Sequence, residues 1–355
     1  MLKSDSNTYQ RVARTIDDFM RLDYTGVGLI ANLYAALQSR QPGFACMGAA
    51  ERVYAATQAQ AGPILIATGF PEGGGAPETD GPIGAALMAR AFFLGMRRET
   101  VIVIDADWED MMIATCRGAG LAPMPFPDDG VIRPIEYLRP VYIKTVPKDD
   151  RGAHAICDEL IRVTRPCAAI AIERPGRNAK GLYHGLGGRP LDGLVANLDY
   201  LFEQVKHAGI PFIGIGDGGN ELGMGVIAED LPRFSPKAAD TGVPGRGGVA
   251  AVTAADWLVV ANVSNFGATG VVAALSALLE NPVVFHTPEL ETRSTELCVA
   301  TGGVDGMFMA PEPAHDGIAM EEYAGMVRAL RGSVMRALGH SINWQGHQGD
   351  WRQIK

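Results

Sequence analysis

The stretch PFIGIGDGGNELGMG, residues 211–225, begins as an apolar strand and continues into a glycine-rich turn that carries carboxylates. Its first part, 211–216, shows no polar alternation, which is typical of a strand buried on both faces of a parallel sheet. In open parallel sheets, ligands bind just beyond the carboxyl ends of the strands. The stretch therefore predicts an α/β fold and a candidate ligand site in the turn after residue 216.

Similar apolar segments recur along the chain and alternate with longer helical patterns. Strands are predicted at 63–70, 100–106, 141–146, 167–173, 211–216, 256–263 and 282–287. Helices are predicted at 81–97, 108–118, 150–164, 193–208, 267–280 and 317–337. This alternation indicates a mainly parallel sheet flanked by helices, a Rossmann-like three-layer α/β fold. The first 60 residues form a mostly helical N-terminal cap in this interpretation, and residues 1–355 form a single domain.

Composition excludes several classes of protein. The 31 Lys and Arg residues against 40 Asp and Glu give a net charge of −9, so a nucleic-acid partner is not expected. The longest apolar stretch, 268–279, is shorter than the ~20 residues of a membrane span. The N-terminal residues lack a continuous apolar segment, so no secretory leader is expected. Five cysteines without CxxC spacing indicate reduced thiols and a cytoplasmic location.

Polar and charged groups follow five of the predicted strands at the point where each ends. They lie in the segments 71–82, 107–110, 173–188, 217–225 and 264–270. Because the carboxyl ends of parallel strands meet at one edge of a sheet, we expect these segments to converge on one site.

The turn after the strand 211–216 has two readings as a ligand site. Its glycines match GxGxxG over 214–219, the pattern of a nucleotide-dependent Rossmann-type enzyme. However, Asp217 would repel a phosphate, and further glycines weaken the helix that should follow. Asp217, Asn220 and Glu221 suit an ammonium group or a hard cation better. A plain strand-to-helix turn with an Asp or Asn cap is the structural alternative.

The segment 173–188 carries the basic groups Arg174, Arg177 and Lys180 beside Glu173. The arginine fork matches a carboxylate, so these side chains predict capture of an acidic small molecule. The alternative is a solvated basic loop paired with surface acids.

Further carboxylates follow two other strands. Asp80 or Thr79 is expected to cap the helix that begins near Pro82. Asp105 and the acidic residues of 107–110 could hold a divalent cation. The favoured reading of that acidic group is a set of charges that complements a helix N-terminus.

Four segments together resemble a known family. They are TGFPEGGGAPETDGPIGA (68–85), AIERPGRNAKGLYHGLGG (171–188), GIGDGGNELGMG (214–225) and SNFGATG (264–270). In this order they resemble the catalytic C-terminal domain of the D-glutamate cyclase family over about residues 60–285. The resemblance implies a hydro-lyase that converts D-glutamate into 5-oxo-D-proline and water.

The resemblance and the chemistry of lactam closure lead to a set of site assignments. The catalytic candidates are Asp217, Glu221 and Glu173. The substrate-binding candidates are Arg174, Arg177, Lys180, Asn220, Asp80, Gly218, Gly219 and Asn265. The metal candidates are Asp217, Glu221 and Asp105, for Mg²⁺ or Mn²⁺, although no cofactor is required by the sequence. The partners expected are an acidic amino acid and a second copy in a homodimer. A non-catalytic binding protein for an amino acid or a related carboxylate is a further alternative.

Overall fold

The computed structural model describes residues 1–4, 6–133, 135 and 138–339. Its strands are β1 (Ile64–Thr68), β2 (Pro71–Glu72), β3 (Ala76–Pro77), β4 (Thr100–Asp105), β5 (Ala122–Pro125), β6 (Pro140–Val146), β7 (Ala168–Ile172), β8 (Phe212–Gly216), β9 (Trp257–Val260), β10 (Ala314–His315) and β11 (Ile318–Ala319). Its helices are α1 (Asn7–Met20), α2 (Ile30–Arg40), α3 (Ala45–Ala59), α4 (Pro82–Met96), α5 (Glu109–Gly118), α6 (Asp150–Thr164), α7 (Asp199–His207), α8 (Pro236–Ala239), α9 (Ser264–Leu278), α10 (Pro288–Ala300) and α11 (Met320–Ala337).

Seven strands form one parallel sheet in the order β5-β6-β4-β1-β7-β8-β9. Helices cover both faces of the sheet, and the predicted three-layer α/β fold is confirmed. The first 60 residues form α1, α2 and α3, as the helical pattern predicted. Two antiparallel hairpins, β2–β3 and β10–β11, lie outside the sheet. Every helix of the described ranges is too short or too polar to cross a membrane.

The structure differs from the predicted secondary structure in several places, including α10, a helix that was not predicted. The segment 282–287 is a turn that leads into α10, and the Asn281 side chain accepts a hydrogen bond from the backbone of Val283 there. The edge strand β5 was missed because its two prolines argue against a strand, although an edge position tolerates them. The helix α7 begins at Asp199, six residues after its predicted start at 193, because an irregular turn precedes it.

The helices α4 and α9 cap each other at the end of the sheet where the site lies. Asp80 accepts hydrogen bonds from the backbone N–H groups of Ser264 (2.9 Å) and Asn265 (2.6 Å), in the first turn of α9. In return, the Asn265 side-chain oxygen accepts from the N–H groups of Gly81 (2.9 Å) and Gly84 (2.8 Å) of α4. The expectation that Asp80 caps its own helix is therefore wrong. A carboxylate suits the positive end of either helix, and the chain uses it on α9.

Arg174 and Asp105 form a fully buried ion pair beyond the ends of β7 and β4. The guanidinium of Arg174 also donates to the carbonyl oxygens of Gly69 (3.3 Å) and Ala196 (2.6 Å). Asp105 accepts a second hydrogen bond from the N–H of Ala196, at 2.6 Å. The pair therefore joins three segments that are distant in the sequence.

We expect Arg174→Lys to destabilise the fold strongly. Lysine keeps the charge but cannot reproduce the planar fork, so Asp105 and two carbonyl groups lose donors in a buried place. Breaking a buried pair costs about 3–5 kcal/mol in free energy of unfolding. Arg177→Lys is the matched control, since that side chain is 31% exposed and pairs with Glu203 at the surface. A change within ~1 kcal/mol is expected there. Urea denaturation of both variants checks the difference, and equal costs would contradict it.

Candidate active site

Carboxylates from several segments meet beyond the carboxyl ends of β7 and β8. Asp80, Asp217 and Asp316 form one group, in which one oxygen from each residue lies within 4.8 Å of the others. Glu173, Asp217 and Glu221 form a second group of the same size. Asp217 belongs to both groups, so the two groups are joined through this one residue. The predicted convergence of 71–82, 173–188 and 217–225 is present in the structure.

A sixth carboxylate extends this acidic cluster. Glu78 is 6% exposed, and its carboxyl group lies beside that of Asp316. Among the ion pairs of the described residues, none joins a lysine or an arginine to any of the six carboxylates. Within the described part of the chain, the cluster is therefore assembled without an ion pair to a lysine or an arginine.

Burial and mutual repulsion raise the pKa values of five of the six carboxyl groups. Burial is the largest cause in each case, and neighbouring carboxylates add to it. The five groups are Glu78, Asp80, Glu173, Asp217 and Asp316. Such groups hold protons at a pH where an exposed carboxyl group is ionised, which suits proton transfer or the binding of a cation.

Glu221 is held differently from the other five. Its carboxylate accepts three backbone hydrogen bonds, from the N–H groups of Asp217 (2.8 Å), Gly218 (2.6 Å) and Gly219 (2.6 Å). Gly219 has φ +105°, a conformation that favours glycine, so the turn can wrap around the carboxylate. The N–H groups that a phosphate would need in a GxGxxG turn are therefore taken. No helix starts within 220–228, which also disfavours the nucleotide reading.

Ser264 links the two halves of the cluster. Its hydroxyl donates to Glu173 at 2.6 Å, and its backbone N–H lies 3.2 Å from Asp217 as well as bonding Asp80. Glu173 is 7% exposed, whereas the half-buried Asp217 lies at the rim. Gly81 passes so close to this wall that an added Cβ would lie 2.8 Å from the Cβ of Glu173. A side chain at position 81 would therefore displace the cluster.

The predicted basic contacts do not reach the acidic cluster. Arg174 lies in the buried pair with Asp105, so the prediction that it binds substrate is not supported by its position. Arg177 pairs with Glu203 and lies 4.0 Å from Asp199, which agrees with the alternative of a basic loop paired with acids. The Lys180 side chain is exposed, and its backbone N–H donates to Asn178. The residues next to these basic side chains in the sequence gave no indication of their partners in the fold.

Of the other predicted residues, four help to build the site and one, Asp105, lies outside it. Gly218 and Gly219 bind Glu221 through their backbones, and Asn265 lies between the capped helices. Asn220 donates from its side chain to the carbonyl oxygen of His184 at 3.0 Å, which fixes the loop beside the cluster. Asp105 lies outside both carboxylate groups because Arg174 holds it, so it is not placed as a metal ligand.

Sequence reasoning missed Asp316 and did not include Glu78 among the site candidates. Asp316 lies in the tight turn of the β10–β11 hairpin with φ +47°, and its Asp-Gly sequence is typical of an ordinary surface turn. Only tertiary contacts of that hairpin, with α11 and with Asn265 of α9, bring the carboxylate to the cluster. No local signal in the sequence could have shown it.

The raised pKa values predict that stability falls as the pH rises. The folded state holds protons on these groups above pH ~4, where the same groups ionise in the unfolded chain. The stabilisation is therefore complete below that pH and is lost as the pH rises through the folded pKa values. Asp217→Asn removes one repelling charge, so its melting temperature should decrease less than that of the wild type between pH 5 and 8.

Thermal melts without added divalent cations measure this effect. The control is Asp107→Asn, since Asp107 is 67% exposed and pairs with Lys148 at the surface. That variant should follow the wild-type pH dependence. A steeper decrease for Asp217→Asn than for the wild type would contradict the repulsion that the cluster implies.

Comparison with known proteins identifies the family of the chain. A family model described as D-glutamate cyclase-like, C-terminal matches residues 23–331, which is most of the chain. The human protein named D-glutamate cyclase, mitochondrial is 31% identical over 220 residues, which cover 61% of this chain. The chain spans about a third of that relative, since the match covers 33% of its length. The matched region includes all the carboxylates of the cluster, and the chain belongs to the D-glutamate cyclase-like C-terminal family.

Proposed function

We propose that this chain cyclises an acidic amino acid with loss of water, and that D-glutamate is converted into 5-oxo-D-proline. The observation that carries the proposal is the acidic cluster without a basic partner among the described ion pairs. Such a site attracts the ammonium group of an amino acid or a metal cation. Membership of the family and the name of the human relative support the same reaction.

The reaction requires proton transfer between two groups of one substrate. The ammonium nitrogen must lose two protons to become the lactam nitrogen, and its lone pair attacks the γ-carboxyl carbon. One γ-carboxyl oxygen leaves as water and takes up two protons, so atoms and charge balance. Carboxyl groups with raised pKa values can accept and return these protons near neutral pH. Holding the substrate folded supplies the proximity that ring closure needs.

Asp217 is the best-placed base in this cluster. Asp217 is half-buried, and the one backbone hydrogen bond that its side chain accepts, from Ser264, is long at 3.2 Å. Glu173 is more buried and accepts the short hydrogen bond from the Ser264 hydroxyl. Glu221 is occupied by three backbone donors, so we assign it to shaping the turn and holding negative charge.

A divalent cation fits the donor set of the cluster and would compensate the negative charge of the cluster and of the substrate. The substrate carries two carboxylates, and no described arginine or lysine is paired within the cluster to receive them. The donors are all carboxylate oxygens, which suit Mg²⁺ or Mn²⁺. The two groups that share Asp217 are the residues that would hold it. When bound, such an ion would neutralise the cluster and polarise the γ-carboxyl group.

We expect the purified chain to form 5-oxoproline from D-glutamate when Mg²⁺ or Mn²⁺ is present. Asp217→Asn should reduce turnover by ~10²–10⁴-fold, because asparagine cannot accept the proton. Its melting temperature should not fall, since the substitution removes a repelling charge. Chromatography of reactions with D- and L-glutamate, with and without the cation, measures product and stereospecificity.

Asp107→Asn is the control for a lost carboxylate and should keep normal turnover. Binding of D-glutamate without any product would favour the non-catalytic alternative over the lyase. Full activity after exhaustive chelation would contradict the role of the cation alone. A cytoplasmic location and a homodimer remain predictions that the sequence makes.

A further inference from the structure

A buried asparagine beneath the acidic cluster has its amide orientation determined by its backbone partners. The Asn265 side-chain oxygen accepts from two N–H groups of α4, and its Nδ2 donates to the carbonyl oxygen of Thr79 at 3.0 Å. Backbone N–H groups only donate and carbonyl groups only accept, so the amide cannot be turned over. One N–H of Nδ2 remains for another acceptor.

His315 supplies that acceptor. Its Nδ1 lies 2.5 Å from Nδ2 of Asn265, and its Nε2 lies 3.0 Å from Oγ1 of Thr295. Since Asn265 donates, Nδ1 must carry a lone pair, and the ring proton must lie on Nε2. That proton is donated to Thr295, whose hydroxyl donates in turn to the carbonyl oxygen of Glu291 at 3.1 Å. Every donor in this series has one acceptor.

The surroundings keep the imidazole neutral and immobile. His315 is 0% exposed and stacks on Tyr323, with ring centroids 4.1 Å apart. Burial lowers the pKa of His315 to about 4, although the nearby carboxylates of Glu291 and Asp305 act in the opposite direction. Glu291 is engaged by His286 at 2.7 Å, and Asp305 accepts backbone N–H groups of its own loop. A neutral ring is what the hydrogen bond from Asn265 requires.

Two routes connect this ring to the acidic cluster. Through Asn265, it holds the first turn of α9, whose N–H groups bind both oxygens of Asp80. Through the chain, it precedes Asp316, which has a carboxylate oxygen within 4.8 Å of oxygens of Asp80 and Asp217. A shift of the ring would therefore move two carboxylates of the acidic cluster, Asp80 and Asp316.

We propose that His315, in its neutral Nε2–H tautomer, is a positioning residue that sets the spacing of Asp80 and Asp316 in the acidic cluster. It touches neither substrate nor reacting atoms, and it acts through Asn265 and through its own chain neighbour. The inference rests on the proposed function in so far as that spacing serves cation binding and catalysis.

Two substitutions separate positioning from simple packing. Asparagine carries its oxygen at the δ position, where histidine carries Nδ1, so His315→Asn retains an acceptor for Asn265. His315→Leu fills the space but leaves the amide N–H unpaired. We expect His315→Leu to lower kcat and Mn²⁺ affinity by ~10–100-fold, as loss of outer-shell partners does, and His315→Asn to recover most of both. His207→Leu, at an exposed histidine, is the control and should change neither.

Nitrogen-15 NMR of the labelled full chain tests the tautomer directly. His315 should show a protonated Nε2 and an unprotonated Nδ1, as the hydrogen bonds with Asn265 and Thr295 require. A proton on Nδ1 would overturn the proposal. Equal losses in His315→Leu and His315→Asn would also overturn it, because the acceptor would then have no special role.

Failure of the proposed function is distinguishable from failure of this inference. If the wild-type protein forms no 5-oxoproline, the lyase assignment is wrong. The tautomer and the Mn²⁺ affinity, which need no turnover, then decide whether His315 positions the cluster. Wild-type Mn²⁺ affinity in His315→Leu would overturn the positioning role.

Discussion

Repulsion among carboxylates that no basic side chain of the described residues neutralises is the constraint on which this site depends. Backbone N–H groups hold the cluster together in place of lysine or arginine, with three on Glu221, two on Asp80 and one on Asp217. These donors stabilise negative charge without cancelling it. The cluster therefore keeps a strong preference for positive charge.

The neighbouring pair of Arg174 and Asp105 shows the opposite solution. There a guanidinium neutralises a carboxylate in the interior, and the pair joins strand ends instead of offering charge to a ligand. The two arrangements lie beyond ends of the same sheet. Their difference explains why a basic loop that looks suited to an acidic substrate contributes to the fold, and why an acidic turn contributes to the candidate chemistry.

The sequence predicted those parts that depend on local pattern. Apolar strands, helices and the convergence of their polar ends follow from periodicity and from the geometry of parallel sheets. The partner of Arg174 lies 69 residues away, so no local pattern could distinguish an internal ion pair from a substrate contact. Asp316 reaches the cluster from a short hairpin near the end of the described chain, and only tertiary packing reveals it. Tertiary packing is also needed to show that Asp80 accepts hydrogen bonds from α9 and not from α4, the helix that follows it in the sequence.

The mutual capping of α4 and α9 has a consequence for how the protein folds. The hydrogen bonds between these helices join residues that are 184 positions apart, so they form only after most of the chain has been synthesised and a long loop has closed. Contacts of such high sequence separation are typical of slow folding. Neither helix end is satisfied by its own residues, so a nascent or truncated chain that lacks α9 would expose unpaired amides at the start of α4. The acidic cluster is therefore expected to assemble late, after the sheet that carries it.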